Sequence, residues 1–70
     1  MPGISALASL VRERRKALAL TQQDVADLAG CSVRFVRAFE SGKATVRLDK
    51  VIAVLDALGL ELSATPRRTP

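Results

Sequence analysis

The sequence predicts an all-α domain followed by one short C-terminal strand. Three observations carry this. Apolar residues recur at helical spacing in four successive stretches, bounded by capping residues or by Gly30, Gly42 and Gly59. Phe35 and Phe39 are the only aromatic residues, so the core must be Leu, Val, Ile and Ala, as in a small helical bundle. The segment 60–65, LELSAT, alternates apolar and polar residues in the manner of a strand.

Length and charge narrow the classes. Seventy residues allow one domain. A chain of this size buries only about 60% of its unfolded surface and gains from association. With 49% hydrophobic and 26% charged residues, it has the composition of a folded chain. Eleven basic residues against seven acidic ones give a net charge of +4, which favours a polyanionic partner. Cys31 is the single cysteine and His is absent, so the chain can form neither an internal disulfide nor a zinc site. No signal peptide or membrane-spanning run is evident, and the expected location is the cytoplasm. No cofactor is expected.

The elements follow in order. After the arm Met1–Ile4, Ser5 is the expected N-cap of a first helix over Ala6–Leu18, with Leu7, Leu10, Val11 and Leu18 apolar. Its late cations, Arg12 to Lys16, suit the negative end of the helix dipole. Thr21 and Asp24 make a variant capping box for a second helix, Gln22–Ala29, burying Val25, Leu28 and Ala29. Gly30 stops it, because glycine tolerates the left-handed backbone that follows a helix. Ser32 caps a third helix, Val33–Ser41. On a helical wheel Ser32, Val36, Phe39 and Glu40 share one face, anchored inward by Val36 and Phe39, while Arg34, Ala38 and Ser41 centre the outer one. A cationic loop, Lys43–Arg47, leads to a fourth helix, Leu48–Leu58, with Leu48, Val51, Ile52, Leu55 and Leu58 as its apolar stripe.

The strand has no partner within the sequence, and an unpaired strand leaves its backbone groups open. Pairing with the same strand of a second copy solves this, giving a two-fold homodimer through Leu60, Leu62 and Ala64. The alternative is an extended tail packed on its own domain. The boundaries are thus a domain over 5–59, a dimerisation strand over 60–65 and a basic flexible tail over 66–70.

Two short helices joined at Gly30, the second exposed and basic, form the helix-turn-helix arrangement that sets one helix in the major groove of DNA. Ala26 is small enough for the close helix crossing. Val36 and Phe39 anchor the inner face. Gln22, Gln23, Ser32, Arg34 and Arg37 offer donors on the outer one.

The stretches LALTQQDVADLAG and CSVRFVRAFESGK resemble the lambda-repressor-like, or XRE, family over about residues 5–60. The resemblance implies a four- to five-helix DNA-binding domain. It implies that Gln22 touches the DNA backbone and a neighbouring base. Ser32, Val33, Arg34 and Ala38 would face base edges, and Arg37 and Lys43 phosphates, with Arg47 a further phosphate candidate. Arg15 and Glu40 would form a partly buried salt bridge. Val33 and Ala38 offer no hydrogen bond, which leaves Arg34 as the strong direct reader. Ala19 stands where relatives often carry Gly, and a left-handed backbone there would cost roughly 1 kcal/mol.

A short domain ending in a strand also resembles HipB-like antitoxins, whose strands join two subunits that repress their own operon. The expected function is a homodimeric, sequence-specific repressor binding a double-stranded DNA operator, with a HipA-like toxin kinase as the partner this second resemblance implies. The alternatives are a stand-alone repressor and a protein-interaction module on the same fold. An enzyme is not expected, since no nucleophile–base pair, phosphate loop or metal-ligand cluster is apparent.

Overall fold

The computed structural model describes residues 3–64 and 66. Four helices follow in order: α1 (Ile4–Ala17), α2 (Gln22–Ala29), α3 (Val33–Glu40) and α4 (Leu48–Ala57). The predicted strand is not formed: residues 60–64 are neither helix nor strand, and no strand occurs among the described residues. A strand is defined by its ladder, and this single chain supplies no second strand for one. Met1, Pro2, Thr65 and residues 67–70, with the basic end of the predicted tail, lie outside the described residues.

Helix starts fall where the sequence predicts with one exception, although only α2 and α3 carry side-chain caps. Thr21 and Asp24 close their capping box in both directions, at 3.0 and 2.9 Å. Hydrogen bonds from Thr21, its backbone N–H foremost, hold the Asp24 carboxyl below its ordinary range. Ser32 caps α3 by accepting from the Phe35 N–H at 3.1 Å. The exception is α1, which starts at Ile4 rather than Ala6. Its N-cap is Gly3, with no side-chain cap, and Ser5 lies inside the helix. Ile4 packs against the core, and that burial outweighs a serine cap worth about 1 kcal/mol.

The four helices end alike. In each, one N–H reaches back five residues: Leu20 to Arg15, Cys31 to Ala26, Lys43 to Ala38 and Leu60 to Leu55. The preceding residue bonds three back, completing the Schellman pattern around a left-handed residue. Glycine fills that place at Gly30, with φ 70°, but Ala19 occupies it after α1, with φ 58°.

The core is Val11, Val25, Ala26, Val36, Phe39, Val51, Val54, Leu55 and Leu58. α2 lies central, packed on both α3 and α4, and α1 packs on α3. Several predicted core residues are displaced. Leu10, Leu28, Leu48 and Ile52 are exposed; Ala8 and Val54 are buried instead, and Ala26 is buried as the close crossing requires. The helical period is right in each case, but the stripe is rotated toward smaller residues, because closely crossing short helices admit Ala and Val where Leu would clash.

Three arginines of α1 tie the bundle together. Arg12 Nη1 donates to the Glu40 carbonyl at 2.8 Å, and Arg14 Nε to the Leu58 carbonyl at 2.9 Å. Both supply partners to helix ends that lack intrahelical ones. Arg15 reaches Glu40, the one buried charged residue among those described.

Candidate nucleic-acid interface

α3 owes its orientation to what lies beneath it. Val36 and Phe39 are fully buried, and Glu40 nearly so. With that face fixed inward, the 100° step of the helix turns Arg34 and Arg37 outward, and both are exposed. Ser32 is exposed beside them, while Val33 and Ala38 are half-buried.

The structure gathers Ser32, Arg34, Ala38, Lys43 and Arg47 around a cleft of about 280 Å3. Phe35 forms part of its wall and Lys50 its rim. Four cations therefore face one concavity. Of the remaining predicted DNA-contact residues, Gln22, Val33 and Arg37 lie outside this lining. Arg47 is not free: it forks onto Asp49, at 2.8 and 3.2 Å, in a pair exposed on both sides. Such a pair is worth about 0.2–1 kcal/mol and opens easily to a competing phosphate.

Phe35 is half-buried, packed on the core and lining the cleft. Its ring stacks on Phe39 at 5.9 Å, and Lys50 Nζ stands 5.7 Å from its centroid. Lys50 is a cleft residue that sequence reasoning missed; its position three residues after Arg47, on the same side of the helix, was the available signal. Cys31 is half-buried. Burial pushes its thiol pKa up, against an opposing pull from Lys50, so it packs as a small apolar residue with little thiolate character.

Gln22 turns toward the protein. Its Nε2 donates to Glu40 Oε1 at 3.2 Å. The same carboxylate receives Arg15 Nε at 2.7 Å on Oε2 and Arg15 Nη2 at 2.9 Å on Oε1. These hydrogen bonds raise the Arg15 pKa, with burial opposing, so its charge persists throughout the working pH range. No buried side-chain polar atom among the described residues lacks a partner.

The arrangement offers a projecting helix with two exposed guanidinium groups, a cationic cleft beside it, and no metal-binding cluster among the described residues. Among the described residues no helix is long and apolar enough to cross a membrane. Residues 11–64 match the helix-turn-helix family model HTH_3. Over 56 residues the chain is 39% identical to the uncharacterized HTH-type transcriptional regulator y4mF of Sinorhizobium fredii (strain NBRC 101917 / NGR234), covering 80% of this chain and 74% of that one. The chain therefore belongs to the HTH_3 helix-turn-helix family.

Proposed function

We propose that this chain is a sequence-specific, double-stranded DNA-binding transcriptional repressor that acts as a homodimer. The observation that supports it best is the outer face of α3: exposed Arg34 and Arg37 above a buried Val36–Phe39 seam, flanked by the cationic cleft. The relative's description as a transcriptional regulator points the same way.

In this reading α3 enters the major groove. Arg34 donates to guanine O6 and N7, a contact worth about 1–3 kcal/mol of discrimination. Val33 and Ala38 touch a thymine methyl or fill space, and Ser32 contacts a base edge. Arg37, Lys43 and Arg47 bind phosphates and set register. Repression follows from occlusion of the promoter.

Dimerisation through residues 60–65 is part of the proposal. Leu62 and Ala64 are exposed and open to a second copy. Leu60 is half-buried, packs on the core and donates its N–H to the Leu55 carbonyl at 2.8 Å, so it anchors the segment instead of offering a free edge. The narrower antitoxin role, with a HipA-like kinase as partner, rests on the resemblance of this segment and is tested by co-purification with the product of the neighbouring gene.

Selection of bound sites from random duplex DNA tests the main reading. The expected result is an enriched motif of two inverted half-sites about one helical turn apart. Arg34→Ala should flatten preference at one position more than it weakens non-specific binding. A pool that shows no enrichment overturns the reading, and a single unpaired half-site overturns the dimer.

A further inference from the structure

We propose that Leu48 and Ile52 form an apolar edge of α4 that docks on the same edge of a second copy and makes up the main body of the homodimer interface. This rests on the homodimer reading above. Leu48 and Ile52 are 62% and 41% exposed. They stand four residues apart in one helix, so their side chains are neighbours on its surface. The buried face of the same helix carries Val51, Val54 and Leu55. The apolar arc of α4 is therefore wider than the part its own core covers. Large hydrophobes scattered singly are ordinary on a surface, but two in a row beside a core stripe make a patch.

Interface size argues for a second copy as the occupant. A stable, specific interface takes about 20–30 residues a side. The segment 60–65 is far shorter, and Leu60 within it is spent on its own core. Two strands paired alone are marginal in water. A homodimer of this chain therefore needs apolar surface beyond that segment. The α4 edge adjoins it: Gly59, where the chain leaves α4, follows Ile52 by two helical turns and lies near the same side.

The edge also points away from the cationic cleft. Lys50 lines the cleft and sits midway between Leu48 and Ile52 in the chain, about 160° around the helix axis from either. A second copy on this edge leaves the exposed Arg34, Lys43 and Arg47 open to DNA. A two-fold axis asks for one patch that complements itself. The edge meets that demand, with Leu48 of one copy facing Ile52 of the other and no charge between them to bury.

The test is sedimentation of the full chain over a range of concentrations. The wild type should associate to a dimer. Leu48→Gln and Ile52→Gln place a good helix former at an exposed position. Each should raise the dimer dissociation constant about thirtyfold, the loss of one interface hot spot. Leu28→Gln is the control, because Leu28 on α2 is 62% exposed, as Leu48 is, and it should change nothing. On DNA the edge variants should keep their affinity for one half-site and lose the gain from a second. If a Gln variant fails to fold, Ile52→Cys treated with a short bismaleimide should give a covalent dimer and Leu28→Cys should not. Equal weakening by Leu28→Gln would mean indiscriminate apolar association and overturn the proposal. A dimer that survives both edge variants but is lost in Leu62→Gln places the contact in the C-terminal segment, which overturns the proposal while the homodimer reading stands. A wild type that stays monomeric overturns both and leaves the edge to a different protein.

Discussion

Arg15 lays its guanidinium along the carboxylate of Glu40, with both forks of the pair closed at 2.7 and 2.9 Å and both side chains nearly out of solvent. The contact joins the late turns of α1 to the last residue of α3. It lies on the same inward face of α3 as the buried Val36 and Phe39.

Removing one partner should cost far more than removing both. Glu40→Ala leaves the Arg15 charge buried and unpaired, at about 3–5 kcal/mol. A domain of this size has only about 5–10 kcal/mol in hand. Urea titration should show Glu40→Ala close to unfolded, whereas Arg15→Met combined with Glu40→Met should recover much of the loss. Equal losses in the single and double variants would refute the buried-charge account.

Ala19 carries the one left-handed backbone at a residue other than glycine among those described. Ala19→Gly removes the Cβ strain but adds freedom to the unfolded chain, for a net gain of roughly 0.5–1 kcal/mol. The urea midpoint should rise with an unchanged slope. A fall would show that the turn is relaxed with alanine.

The Asp24 carboxyl gives the molecule an acid-sensitive helix start. Its folded pKa lies below the ordinary 3.8, so its contribution is full above that value and lost as pH falls through the folded one. Thermal melts of wild type and Asp24→Asn should converge as pH drops below about 4. Curves that stay parallel would mean that the carboxylate contributes nothing through its charge.

The cleft cations other than Arg34 should act on affinity without acting on sequence choice. Lys43→Ala should weaken all duplexes alike and lower the slope of log K against log salt by about 1. Asp49→Asn frees Arg47 from its exposed pair and should do the reverse, tightening non-specific binding at low salt. A sequence-dependent effect of either would place these residues at base edges.

The sequence by itself determined where α2 and α3 begin, where the turn between them falls and which motif they form. Those features are local: the Thr21–Asp24 box, the Ser32 cap and the Gly30 turn each close within five residues of chain. The helical period also made the inner face of α3 legible through Val36 and Phe39. Tertiary structure alone decided the rest, because it depends on groups far apart in sequence. It chose Ala8 and Val54 over larger neighbours for the core, set Arg12 and Arg14 on distant helix ends, brought Lys50 to Phe35 and turned Gln22 onto Glu40. Periodicity names a face, but only the crossing of helices says how closely that face is approached and which side chains fit there.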